Sequence, residues 1–229
     1  MRILAIGDIH GCSKAFDAVL ETVRPQADDL IIALGDYVDR GPDSMGVLER
    51  LIALRRKYQL VCLRGNHEQM MLDTRSGDLA EHRWVEWGGN KTLASYSPWG
   101  EAGSLAEVPP HHWQFLENDC VPWYETDTHI FVHASVDPEL PLEQQPTSKL
   151  QWDPFYGQPP HCSGKIMVCG HTAQKTGVPV DLGHVICIDT WVYGDGCLTC
   201  LDVASGKYWQ ANQLGQKREG QLTRDNARG

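Results

Sequence analysis

The sequence predicts a mixed α/β fold in which two packed β-sheets are flanked by helices and interrupted by a helical insertion. Three observations predict it. Short apolar runs alternate with helical spacing through the first third, a tryptophan-rich and irregular helical stretch fills the middle, and short strands separated by Gly- and Asp-containing turns close the chain.

The elements follow in order. Arg2–Ile6 is a short apolar strand that ends in Gly7-Asp8, and Ala15, Phe16, Val19, Leu20 and Val23 then fall at helical spacing. Leu30–Leu34 is a second strand ending in Gly-Asp. Val47, Leu48, Leu51, Ile52 and Leu54 mark a second helix, with Asp43 or Ser44 placed to cap it. Leu60–Leu63 is a third strand. Continuous apolar strands joined by helices predict parallel pairing with both faces covered. From about 69 to 119 the pattern is helical, and Trp84, Trp87, Trp99 and Trp113 read as core residues rather than a cofactor box. Strands at Thr128–Val132, Lys165–Cys169, His184–Ile188, Leu198–Val203 and Lys207–Gln210 complete the set. Residues 1–215 thus read as one domain, and the polar segment 216–229 as a flexible tail.

Composition narrows the classes. Hydrophobic residues make up 41% and charged residues 22%, the balance of a globular protein that can bury a core. A net charge of -10 argues against broad binding to nucleic acid or membrane surfaces. No apolar run approaches the ~20 residues of a membrane span, and the N-terminal segment reads as a strand rather than a signal peptide, so the cytoplasm is the expected compartment. The eight cysteines are scattered and read as small core residues in a reducing compartment; an ordinary strand explains Cys197 and Cys200.

Five strand ends carry the chemistry. Three successive strands run into Gly7-Asp8-Ile9-His10-Gly11, Gly35-Asp36-Tyr37-Val38-Asp39-Arg40-Gly41 and Arg64-Gly65-Asn66-His67-Glu68; two later ones finish at His133-Ala134 and Gly170-His171-Thr172. In open α/β sheets, sites form outside the carboxyl ends of strands. A cluster of Asp, His and Asn gathered there would suffer mutual repulsion and desolvation unless divalent cations removed the conflict. Mixed oxygen and nitrogen donors suit Mn, Fe, Zn or Mg. A set large enough for two ions with a shared carboxylate points to a paired-metal hydrolytic site.

The series GDIHG, GDYVDRG and RGNHE, followed by VHA and GHT, resembles the signature of PPP-type calcineurin-like metallophosphoesterases, closest to the small bacterial serine/threonine protein phosphatases. The resemblance runs over roughly residues 2 to 205. It implies the four-layer metallophosphatase fold and two divalent metal ions, with Mn the expected pair. By position it implies Asp8 and His10 on the first metal, Asp36 bridging, and Asn66, His133 and His171 on the second. It further implies His67 as general acid oriented by Asp39, and Arg40 and Arg64 as phosphate-binding residues. The activity it implies is hydrolysis of phosphomonoesters on phosphoserine or phosphothreonine proteins, with phosphotyrosine proteins or small phosphoesters as further substrates, by attack of a hydroxide between the ions.

Two positions depart from the pattern: Ala134-Ser135 stands where the family commonly has Ala-Gly, and Trp152-Asp153 lacks the arginine of a Trp-x-Arg element. His184 begins a strand, so His171 is the expected last ligand; His111, His112, His129 and His161 read as surface or packing residues. The rival enzyme is a symmetrical dinucleoside tetraphosphate hydrolase, against which Asp39, Arg64 and Glu68 argue. The rival of another class is a catalytically inactive binding module of the same fold.

Overall fold

The computed structural model describes residues 1–98, 100 and 103–223. The chain runs β1 (Ile3–Ile6), α1 (Ser13–Val23), β2 (Leu30–Ala33), α2 (Ser44–Arg55), β3 (Gln59–Leu63) and α3 (Asn66–Ser76). It continues through α4 (Glu81–Trp84), α5 (Asn90–Tyr96), α6 (Pro110–Gln114), β4 (Cys120–Val121), β5 (Trp123–Glu125), β6 (His129–Val132) and α7 (Thr147–Trp152). It ends with β7 (Ile166–Cys169), β8 (Val180–Asp181), β9 (Val185–Cys187), β10 (Leu198–Asp202), β11 (Lys207–Ala211) and β12 (Lys217–Gln221).

The helices start and stop where local chemistry dictates. Burial of Ala15, Phe16, Val19 and Val23 matches the expected face of α1, which ends at the left-handed Arg24. Of the two candidate caps for α2, Asp43 serves: its side chain accepts from the Gly46 N–H at 2.9 Å.

The strands form a seven-stranded sheet, ordered β12-β11-β10-β1-β2-β3-β4, and a five-stranded sheet, ordered β5-β6-β7-β9-β8. β1 to β4 pair in parallel and β10 to β12 antiparallel. In the second sheet β6, β7 and β9 are parallel, with antiparallel edges. One apolar cluster lies between the sheets, formed by Ala5, Ile32, Leu34, Leu63, Phe131, Val168 and Ile186 among others. A larger one joins the first sheet to α1, α2 and the helical stretch after β3, and a third covers the outer face of the second sheet with Leu142, Leu150 and Phe155. The layers are therefore helix, sheet, sheet and helix-and-loop.

Register aligns the strand ends. Ile6 pairs with Ala33 and Ala33 with Cys62, so β1, β2 and β3 finish level. Each fully buried Ile, Leu or Phe between the sheets contributes about 1.5–3 kcal/mol, so these ends cannot shift cheaply.

The segment expected to be a tail from 216 is a strand over Lys217–Gln221, paired with β11 through five residues. It is an edge strand with mostly exposed side chains, so its order comes from backbone pairing and leaves no apolar period to read. Residues 224–229 of that expected tail, and Trp99, lie outside the described residues. Of the other tryptophans in the helical stretch, Trp84 and Trp113 are buried, whereas Trp87 is exposed.

Candidate active site

Five parallel strands, β1, β2, β3, β6 and β7, deliver their following residues to one rim. The turns there are sharp: His10, Asp36, Asp39, Arg40 and His171 account for five of the seven non-glycine residues with left-handed φ among the described residues. Two glycines allow the approach. A Cβ on Gly65 would collide with Asp36 Oδ1, and one on Gly170 with Asp8 Oδ1.

Asp36 sits at the centre. Its Oδ2 lies 3.5 Å from His10 Nε2 and 4.0 Å from His67 Nε2, and its Oδ1 lies 3.3 Å from His133 Nε2. Two groups of metal-capable atoms thereby share one carboxylate: His10, Asp36 and His67 on one side, and Asp36, His133 and His171 on the other. Asn66 adds its Oδ1, 3.0 Å from His133 Nε2 and 3.1 Å from His171 Nδ1.

The outward nitrogens fix how the rings face. His10 Nδ1 donates to the Val38 carbonyl at 3.0 Å and His133 Nδ1 to the Leu34 carbonyl at 2.9 Å, which turns both Nε2 lone pairs inward. His171 Nε2 donates to the Trp152 carbonyl at 3.0 Å, which leaves Nδ1 inward. Burial holds His10 well below the ordinary imidazole range, takes His133 down to about 4 and lowers His171, so all three are neutral donors of a lone pair at neutral pH.

The carboxylates carry the opposite strain. Asp8 Oδ2 accepts the His171 backbone N–H at 2.9 Å, while its buried Oδ1 has no hydrogen-bond partner among the described residues. Burial and then the charges of Asp189 and Asp36 push the Asp8 carboxyl well above its usual range. Asp189, beyond the end of β9, is itself driven up to about 6, chiefly by burial. Asp36 goes the other way: burial opposes its charge, but the surrounding His133, His67, His10 and His171 outweigh it. A buried site with an orphaned carboxylate oxygen, inward lone pairs and crowded carboxylates fits divalent cations. The Arg40 guanidinium is already a cation drawn into that set, with Nη1 3.1 Å from His10 Nε2 and the group stacked 4.5 Å above the Tyr193 ring.

His67 is built differently. Its Nδ1 meets Asp39 Oδ2 at 2.7 Å, and its buried Nε2 has no hydrogen-bond partner among the described residues. Burial opposes its charged form, but Asp36 and Asp39 outweigh burial and raise its proton affinity. Asp39 is in turn fully engaged. Trp84 Nε1 donates to Oδ2 at 2.8 Å and the Thr92 hydroxyl to Oδ1 at 2.7 Å.

Three residues have roles that the motifs do not announce. Trp84 and Thr92 reach Asp39 from α4 and α5, across 45 and 53 residues of chain. Glu68, buried at the start of α3, accepts the backbone N–H groups of Gly65, Asp36 and Tyr37 at 3.0, 2.8 and 2.7 Å and so clamps two of the loops together. Burial and then the neighbouring Asp36 push Glu68 up to about 7. Asp189 follows a strand that reads Val-Ile-Cys-Ile-Asp, the same ending as its neighbours, and that pattern is the signal that could have found it.

Arg64 is the expected site residue that the described contacts do not join to the cluster. Its Nη2 donates to the carbonyls of Leu116 and Glu117 at 2.8 and 2.7 Å, in the wide helical turn before β4. His184 Nε2 donates to the Gln158 carbonyl at 2.9 Å, away from the rim, whereas His171 is in it.

A family model described as calcineurin-like phosphoesterase matches residues 1–175. Serine/threonine-protein phosphatase 1 of Salmonella typhimurium is 32% identical over 161 residues, 66% of this chain and 62% of that protein. A symmetrical bis(5'-nucleosyl)-tetraphosphatase of Nitrosomonas europaea is 28% identical over 145 residues, 63% of this chain and 48% of that protein. The chain thus spans less than two thirds of the length of these curated relatives. The solved structure of a cold-active protein tyrosine phosphatase superposes with a TM-score of 0.63 at 18% identity, covering 95% of this chain and 78% of that one, a likeness of fold. No helix among the described residues is long and apolar enough to cross a membrane.

Proposed function

The chain belongs to the calcineurin-like phosphoesterase family, and on that premise we propose that it is a dinuclear-metal phosphatase of phosphomonoesters, acting on phosphoserine or phosphothreonine proteins. In this reading Asp8 and His10 hold one ion, Asn66, His133 and His171 the other, and Asp36 both. Manganese is the expected pair. Bound ions would acidify water and neutralise phosphoryl oxygens.

The chain's own residues do the rest. Arg40 can move from His10 to the phosphate, where its paired N–H groups match the oxygens. His67 gives the leaving oxygen its proton from Nε2, the one inward imidazole nitrogen backed by a carboxylate. Asp39 keeps that ring oriented, and Trp84 and Thr92 keep Asp39 oriented. Arg64 would have to leave the Leu116 and Glu117 carbonyls to touch substrate, so phosphate binding is assigned first to Arg40.

The observation that carries this reading is the Asp39–His67 pair standing beside Asp36. It supplies a proton to an alkoxide leaving group, which a phosphomonoester of serine or threonine requires and the central phosphoanhydride of a dinucleoside tetraphosphate requires less. The second reading, a dinucleoside tetraphosphate hydrolase, is favoured by the Nitrosomonas europaea relative. The test compares kcat/KM for phosphopeptides and for diadenosine tetraphosphate, with metal analysis of the same manganese-loaded sample. The phosphopeptide is expected to win. A larger value for the dinucleotide would transfer the assignment to the second reading, and tight metal binding without turnover on either would reduce the chain to a binding module.

A further inference from the structure

Consecutive residues on an α-helix point about 100° apart, so two adjacent histidines rarely meet one partner. His111 and His112 on α6 do. His111 Nε2 lies 2.8 Å, and His112 Nε2 3.1 Å, from the same oxygen of Glu49, Oε1, on α2. The two rings meet edge to face, 4.4 Å between centroids. Among the described residues, none of the three side chains shares a hydrogen bond with the rim.

We propose that Glu49, His111 and His112 form a third cation site, of the zinc class, that fastens α6 to α2 outside the catalytic centre. The three ligand atoms all lie within 4.8 Å of one another, against at most about 4.2 Å for two atoms bound to one ion at ~2.1 Å. A small turn of the half-exposed His111 side chain about its Glu49 contact would bring the set inside that limit.

The surroundings are those of a ligand set rather than of a surface pair. The His112 ring is fully buried, and its far nitrogen, Nδ1, sits 2.7 Å from the Tyr96 hydroxyl. A hydrogen bond at the outer nitrogen fixes ring orientation: Nε2 donates to Glu49 and Nδ1 accepts from the Tyr96 hydroxyl. An ion would take the Nε2 lone pair once the proton moved to Nδ1, which would then donate to that hydroxyl. Burial lowers the proton affinity of His112, which keeps the ring neutral as a ligand must be. Glu49 and His111 are each about half exposed, which leaves the remaining positions of an ion open to water. Two imidazoles and one carboxylate favour zinc over manganese, magnesium or calcium. Two arginines line the adjoining cleft: Arg55, paired with Asp119 at 2.5 Å, and Arg56.

The test counts zinc bound per chain after gel filtration, in the wild-type protein and in His111→Ala and Glu49→Gln, two partly exposed positions whose replacement leaves the core intact. Counting by difference cancels ions on the rim. Each variant is expected to bind one equivalent fewer than wild type and to keep its manganese-dependent activity on an aryl phosphate. Tyr96→Phe is expected to retain the equivalent with about tenfold weaker affinity, the effect of removing an outer hydrogen bond from a ligand. If both His111→Ala and Glu49→Gln bind as many equivalents as wild type, the cluster is a hydrogen-bonded clamp and the proposal falls. Should one variant fail to fold, the other decides.

Discussion

On the side of the seven-stranded sheet, His67 rests against the Asp39 carboxylate; on the side of the five-stranded sheet, His133 and His171 rest against the carbonyls of Leu34 and Trp152. All three rings sit at the ends of parallel strands, around one aspartate. Their proton affinities nevertheless diverge: burial lowers His133 and His171, while at His67 burial is outweighed by Asp36 and Asp39. The partner behind the ring decides. A carbonyl leaves the imidazole neutral with a lone pair to give, and a carboxylate leaves it holding a proton to give. His10, backed by the Val38 carbonyl, belongs by this criterion with the second-sheet histidines although it arises from the first sheet.

The comparison can be broken at its shared point. Asp36→Asn removes the carboxylate common to both groups, and elemental analysis is expected to find both ions depleted and turnover at background. His67→Gln should instead lower kcat by about 10²–10⁴-fold while metal content holds. Equal metal loss in the two variants would abolish the division between ligand and acid. Asp39→Asn sharpens it. Without the carboxylate the His67 proton affinity falls, so the alkaline limb of the kcat–pH profile should move to lower pH, the direction in which the protonated acid is lost earlier. A limb that stays in place would mean that another group gives the proton. The smallest effect is expected from Trp84→Phe, which deletes one hydrogen bond to Asp39 and should lower kcat roughly tenfold with KM unchanged. Unchanged kcat with a reduced melting temperature would leave Trp84 a packing residue only.

Much of the rim was legible because it is local. Each strand announces itself by a run of apolar residues, and the Gly, Asp and His that follow within four positions cannot be far from its end. Asp8, His10, Asp36, Asn66, His67, His133 and His171 are brought together on that logic. What stayed hidden is what arrives from elsewhere. Trp84 and Thr92 look like ordinary members of an apolar helical stretch, and nothing within a few residues marks an indole N–H aimed at a carboxylate. Glu68 carries a role set by four backbone donors, of Asp36, Tyr37, Val38 and Gly65, which have no signature in side-chain type. Arg64 sits in a motif yet turns to the carbonyls of Leu116 and Glu117, because those unpaired helix-end acceptors lie within its reach. β12 failed to show for the opposite reason: an edge strand held by main-chain pairing can be polar throughout.

The left-handed backbone at His10, Asp36, Asp39, Arg40 and His171 has a further meaning. A side chain held in that conformation costs of order 1–3 kcal/mol, a penalty glycine escapes. Replacing any of the five with glycine would relax the main chain and subtract a working group in the same stroke. Heat tolerance and chemistry therefore pull against each other at the same five alpha carbons. Anyone hardening this protein should look for gains in its helices and edges, and leave the bends beneath the carboxylates and imidazoles under tension.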